Sequence, residues 1–232
     1  MEVIAMPKND FPDKKHVVLP VIHVSNVNQA LANATIAKRA GCDGIFLINH
    51  NILCNDLLYI YQAVRNIFPD WWIGLNFLDL APREVFEVIP ESASAIWTDN
   101  AMINEQTEHQ NEPELIAMAR KKSGWKGMYF GGVAFKYQSL VDNVERATEL
   151  AIRYMDVITT SGRKTGSPPD PEKISRMKKV AGNVPLAIAS GISVENVKLY
   201  PECQFFLVAT SISRNFYNLD PSLTEELINA VK

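Results

Sequence analysis

Cysteine is scarce: Cys42, Cys54 and Cys203 are the only three in 232 residues, and no C-x-x-C spacing joins them. An odd, scattered set excludes a disulfide framework and a thiolate zinc site, and it predicts small, reduced, apolar side chains in a cytoplasmic setting. Histidine is nearly as thin, with four residues. Of these His23 and His50 come from adjacent strand-like runs and could approach each other, and without a third ligand beside them neither a metal nor a cofactor is expected. Excess charge of one sign is also missing. The chain carries 23 Lys and Arg against 26 Asp and Glu, so no basic field exists to collect nucleic acid, and an anionic ligand needs a local site. The tryptophans, with no basic stripe beside them, read as packing residues. Long apolar runs are absent: no window approaches about 18 consecutive apolar residues, and "MEVIAMPKNDFPDKK" lacks the basic-then-apolar order of a secretory leader. The expectation is an untargeted cytoplasmic protein with neither membrane nor nucleic acid as partner.

What is present is a beat. Eight short β-rich runs recur: "HVVLPVIHV", "GIFLIN", "WWIGLNF", "ASAIWTD", "GMYFGGVAF", "MDVITTS", "VPLAIAS" and "FFLVATS". They start about 27 residues apart, the length of one strand with its crossover helix and loops. Helical periodicity fills the gaps. Val27, Ala30, Leu31, Ala34 and Ala37 share one face after Ser25 and Asn26; Leu57, Ile60, Tyr61, Val64 and Ile67 repeat it; Leu140, Val144, Ala147, Ala151 and Tyr154 follow Ser139. Asp170-Pro171 and Asp220-Pro221 each read as an N-cap followed by proline at the first helical position, where the missing N–H costs nothing. The inventory predicts a single-domain α/β protein over residues 1–232, a (β/α)8 TIM barrel with residues 1–15 as an N-terminal extension. The rival is an open doubly wound sheet. Its dinucleotide form is weakened because "IHVSNVNQA" stands where G-x-G-x-x-G belongs.

In such a barrel the site is built at the C-terminal strand ends. "ASGIS" and "ATSIS" end the seventh and eighth runs, where small residues let an anion approach backbone N–H groups; Ser190, Gly191, Ser193, Thr210 and Ser211 are the expected phosphate contacts. The "SGRKTGSPP" loop after the sixth run is expected to close over that anion, with Gly162, Arg163, Lys164 and Thr165 as its clamp. Lys136 at the end of the fifth run and Asp99 at the fourth are the candidate catalytic pair, with Asn49 and Asn76 as hydrogen-bonding neighbours. Each has a plain structural alternative: glycine and serine end strands everywhere, the prolines shape a helix entry, and a buried aspartate can simply pair with a lysine.

The stretch "ITTSGRKTGSPPDPEKISRMKKVAGNVPLAIASGISVENVKLY" and the following "FFLVATSISRN" resemble the C-terminal half of the BtpA/SgcQ family. That family's pattern runs T-G-x-x-T-G-x-P-P-D, then P-V-L-V-G-S-G-V-T-P-E-N-V, then G-(ST)-S-x-K-R. The resemblance implies a phosphate-binding barrel and, in one branch, a role in photosystem I assembly. Departures mark a divergent member. "LPVIHVSN" replaces H-L-P-P-L-P-G, Ile48 replaces an acidic residue, and D-V-H-V-K reads Gly132, Val133, Ala134, Phe135 and Lys136. Two functions are therefore expected in competition. One is an enzyme acting on a small phosphorylated metabolite, a sugar phosphate, phosphoribosyl or nucleotide-like compound, by isomerisation, lyase chemistry, or glycosyl or phosphoribosyl transfer. The other is a sensing or assembly protein that kept the anion site without catalysis. A homo-dimer through the aromatic "FPDWW" stretch is a further expectation.

Overall fold

β-Branched and aromatic runs pair best as strands when both faces are covered, and here each run joins the next in parallel. The computed structural model describes residues 8–138 and 140–232. In chain order the units are β1 (Val17–Val24) and α1 (Val27–Arg39), β2 (Gly44–Asn49) and α2 (Cys54–Ile67), β3 (Trp72–Asn76) and α3 (Val85–Val88), β4 (Ala95–Thr98) and α4 (Asn111–Ser123). There follow β5 (Met128–Gly132) and α5 (Val144–Ala151), β6 (Val157–Thr160) and α6 (Pro171–Ala181), β7 (Leu186–Ile188) and β8 (Phe205–Val208). A small hairpin of β9 (Ser213–Asn215) and β10 (Asn218–Leu219) precedes α7 (Pro221–Val231). The barrel closes where β8 pairs with β1, Val17 opposite Phe205. This is the (β/α)8 barrel, in which a 3-10 turn (Val197–Leu199) replaces the seventh α-helix.

Period-two alternation divides the core in two. Outward residues pack under the helices, while Val17, Leu19, Phe46, Trp72, Phe130 and Phe205 point into the barrel. Phe46 meets Phe130 and Trp72 edge-on at 5.3 Å, and Phe130 meets Phe205 at 5.1 Å, the arrangement that ring quadrupoles favour. Gly74 makes the space: a Cβ there would lie 2.3 Å from the Phe46 ring. At the N-terminal end of the strands Phe11 seals the barrel against Trp72 and Phe205, with centroids at 5.7 and 6.0 Å. Asp10 accepts from the Trp72 Nε1–H at 2.9 Å, and Gln204 Nε2 donates to the Phe11 and Lys14 carbonyls. Asp156 fastens the same end: it accepts from the Tyr129 and Lys8 backbone N–H groups and pairs with Arg120.

The expected caps form: Asn26 accepts from Gln29 N, Asp170 from Glu172 N, and Asp220 from Ser222 N and Leu223 N. Three expectations change. β5 stops at Gly132, before the turn in which Ala134 and Tyr137 take φ of +48° and +62°, so Lys136 sits in a turn beyond the strand. α5 starts at Val144, because Asn143 caps it by accepting from Arg146 N; Leu140 is 91% exposed in the loop before it, and Ser139 lies outside the described residues. In the "FPDWW" stretch Trp71 and Trp72 are buried and Phe68 is partly buried, so its tryptophans offer no exposed surface. Cys42 and Cys203 are buried free thiols, each pushed by burial up to about 12. Among the described residues no helix is long and apolar enough to cross a membrane.

Candidate active site

The C-terminal strand ends surround a cavity of about 580 Å³ floored by Val21, Ile48, Trp97, Ala189 and Leu207. One step higher, the inward positions become polar. His23 follows Val21, His50 follows Ile48 and Asp99 follows Trp97, each two residues along its chain, and all three line the cavity with Lys136.

Asp99 is fixed from below by Asn76, whose Nδ2 donates to Asp99 Oδ1 at 3.0 Å. Burial raises the Asp99 carboxyl above its usual range, against the Asn76 hydrogen bond and the positive charge of Lys136. Lys136 is lowered by burial, against the attraction of Asp99. Each charge thus offsets part of the other's desolvation, and both groups sit closer to neutral pH than they would in water. Gly132 lets β5 rise against the end of β4, since a Cβ there would lie 1.8 Å from the Asp99 carbonyl oxygen. Asn76 is 1% exposed and acts through Asp99.

The turn carrying Lys136 is held by groups that sequence reasoning missed. Lys136 N donates to Ser161 Oγ at 2.7 Å, and Gln138 Nε2 donates to the Asp99 carbonyl. Lys173, from the first turn of α6, donates through Nζ to the carbonyls of left-handed Ala134 at 2.7 Å and Ser161 at 3.0 Å. Burial brings the Lys173 ammonium down to about 8. A signal was available, because a cation in the first turn of a helix opposes the macrodipole and so asks for another reason to be there.

His23, His50 and Phe216 form a ring cluster at the mouth. Phe216 stacks on His23 at 4.2 Å and 25°, His50 lies 4.8 Å from His23, and Phe216 meets His50 at 5.2 Å. Burial lowers His23 to about 4, helped by His50 and Lys136; it lowers His50 too, against Asp99. Both shifts favour the neutral ring at pH 7. Among the described residues no group of three or more His, Cys, Asp or Glu is placed to hold a metal ion.

On the far wall Ser190, Gly191, Thr210 and Ser211 line the cavity. Ser211 Oγ donates to the Ile192 carbonyl at 2.6 Å, tying the loop after β8 to the loop after β7, and Ser190 Oγ donates to the Lys164 carbonyl at 3.1 Å. Among the described residues the backbone N–H groups of Gly191 and Ile192 have no acceptor. Gly191 is required twice over: its φ is +66°, and a Cβ would lie 2.2 Å from Pro168 N. Arg214, also missed, lines the wall while its Nε donates to Asp220 at 2.7 Å.

Several expected residues lie elsewhere. Ser193 turns away, its hydroxyl donating to Glu195 and its N–H to Asn196. Asn49 is consumed structurally: Nδ2 donates to Asp79 and the Ile52 carbonyl while Oδ1 accepts from Leu78 N, so it braces two loops outside the cavity. Of the loop after β6 only Thr165 and Gly166 reach the cavity wall; Arg163 and Gly162 line a neighbouring groove, and Lys164 lines neither. The loop folds back on itself, with the Ser167 carbonyl oxygen where a Cβ of Gly162 would be, at 2.1 Å, and neither of its two cations lines the cavity.

A closed (β/α)8 barrel with one polar mouth is the class that fold and site define. No protein-family model matches the chain, and the BtpA/SgcQ resemblance rests on its motifs. An uncharacterized protein of Thermococcus kodakarensis is 26% identical over 195 residues, 80% of this chain and 64% of that protein, so the chain spans less than two thirds of its relative. Solved structures share the fold at low identity. (S)-3-O-geranylgeranylglyceryl phosphate synthase from Thermoplasma acidophilum, in complex with sn-glycerol-1-phosphate, has a TM-score of 0.68 at 14% identity, over 96% of this chain and 95% of that one. Phosphoribosyl anthranilate isomerase from Thermus thermophilus reaches 0.65 at 13%, over 93% and 98%. Thiamine phosphate pyrophosphorylase from Pyrococcus furiosus reaches 0.65 at 12%, over 96% and 98%.

Proposed function

We propose that this barrel is an enzyme acting on a small phosphorylated metabolite, anchored by the loops after β7 and β8. One observation carries the reading: Gly191 and Ile192, whose backbone N–H groups have no acceptor among the described residues, line the same cavity as Lys136 and Asp99. Amide N–H groups with Arg214 nearby suit a phosphate dianion. Lys136, brought down by burial, and Asp99, brought up by it, suit proton transfer at the far end of the same ligand, with Asn76 orienting the carboxylate. Isomerisation, lyase chemistry and glycosyl or phosphoribosyl transfer all use such a pair. Neighbouring folds named for phosphorylated compounds, and the BtpA/SgcQ-like spacing, support the anchor by analogy.

Thr210→Asp puts a like charge at the anchor on an exposed side chain. Inorganic phosphate and sugar phosphates raise the unfolding temperature of the parent chain, and Thr210→Asp weakens their binding at least tenfold. If no phosphorylated compound stabilises the parent, or the variant binds as well, the anchor is wrong. Binding without turnover is the second reading, favoured by Gly132 and Ala134 standing where the family-like pattern carries Asp and His. Loss of product formation in Asp99→Asn with phosphate affinity retained decides for the enzyme.

A further inference from the structure

Resting on that anchor, we infer that the ligand's organic part is flat and aromatic, so that the cavity accepts an aryl or heteroaryl phosphate ester in preference to a sugar phosphate. The floor has nothing for a polyol: Val21, Ile48, Trp97 and Leu207 present hydrocarbon and ring surface. A sugar placed there would bury hydroxyls without partners, which binding cannot recover.

The wall above is built of rings. Phe216 is 50% exposed at the tip of the β9–β10 hairpin and lines the cavity. Its ring does not simply spill into solvent. His23 backs it in a stack at 4.2 Å, Tyr217 meets it edge-on at 5.0 Å, and the hairpin is tied down behind it. Gln29 and Asn33 of α1 both donate to the Tyr217 carbonyl, Asn51 donates to the Tyr217 hydroxyl, and Asn33 Oδ1 accepts from Leu219 N. Asn33 is 2% exposed, so a buried polar side chain is devoted to fixing this hairpin. A rigidly held aromatic face with one side open is a stacking platform in search of a partner. The neutral rings of His23 and His50 extend it without bringing a charge that an apolar ligand would have to desolvate. Polar side chains on the β4 and β5 side of the cavity are Asp99, Lys136 and Tyr137, enough to address one reacting centre.

The test compares esters of similar charge on the full chain by calorimetric titration: phenyl phosphate, ribose 5-phosphate and glycerol 1-phosphate, with inorganic phosphate as the anchor control. Phenyl phosphate binds at least tenfold tighter than either polyol ester. Phe216→Ala removes most of that preference, lowering phenyl phosphate affinity about tenfold and ribose 5-phosphate affinity less than twofold, and Phe216→Tyr restores it. Ribose 5-phosphate binding as tightly as phenyl phosphate overturns the inference and leaves the anchor standing. So does an equal loss for all four ligands in Phe216→Ala, which would mean that the hairpin only shapes the phosphate corner. Failure of inorganic phosphate and every ester to bind removes the anchor and the inference together.

Discussion

Replacing Lys173 by methionine keeps the length of the side chain and removes its charge. Among the described residues the ammonium donates only to two backbone carbonyls, and burial lowers it from 10.5 to about 8. At about 1.4 kcal/mol per pKa unit, holding it charged in the fold costs about 3 kcal/mol relative to the unfolded chain. The unfolded chain keeps the proton up to about pH 10.5, whereas the fold releases it near pH 8. Between these values the unfolded state binds more protons, so this lysine makes stability rise with pH, by about 2.5 kcal/mol from pH 7 to pH 10. At pH 7 Lys173→Met loses hydrogen bonds to two carbonyls, at about 1–3 kcal/mol each, and gains relief of the charge penalty, so the terms nearly cancel. At pH 10 only the loss remains. Urea unfolding of both chains at pH 7, 8, 9 and 10 reads the difference, in which every other titrating group cancels. The gap widens with pH by about 2.5 kcal/mol; parallel profiles would falsify the assignment of Lys173 as a buried, unpaired cation.

His23 gives the same kind of dependence in acid. It takes its proton near 6.5 when unfolded and about 4 when folded, so its share of stability is lost as pH falls through that window, about 2.5 kcal/mol between pH 7 and pH 4.5. His23→Phe flattens that part of the acid limb in urea titrations, and an unchanged limb refutes it. Gly132→Ala drives a Cβ into the Asp99 carbonyl oxygen and costs about 3 kcal/mol or more by chemical denaturation, at the top of the overpacking range. Gly124→Ala, at φ of +70° with open space around it, costs about 1 kcal/mol. Equal losses at the two glycines would show that contact with Asp99 is not what limits position 132.

The barrel was legible because burial on both faces leaves a chemical trace in every strand. The runs "GIFLIN" and "FFLVATS" begin at the first residues of β2 and β8, and the caps at Asp170 and Asp220 are written in Asp-Pro pairs. What failed was local and three-dimensional. "GMYFGGVAF" reads as one strand through Phe135, but residue types do not announce that Ala134 turns left-handed, and with that turn Lys136 leaves the strand. Arg163 and Lys164 share a loop with Thr165, yet tight folding at Gly162 sends only the threonine to the cavity. Asn49 ends an inward-looking run as polar residues in sites do, but three backbone and side-chain partners absorb it. Phe216 could not be found by period at all, since β9 and β10 span three and two residues. Its place over His23 is fixed by α1, far away in the chain.

The seal made by Phe11, Trp72 and Phe205 has a consequence for traffic. With the N-terminal end of the barrel plugged by rings and its lumen filled by side chains, the cavity has, among the described residues, no back door. Whatever enters at that end must leave by it. One occupant therefore bars the next, and compounds of unrelated shape that reach the floor exclude one another as strict competitors. A reaction with two substrates would have to admit them in a fixed order, the deeper one first, and release the deeper product last.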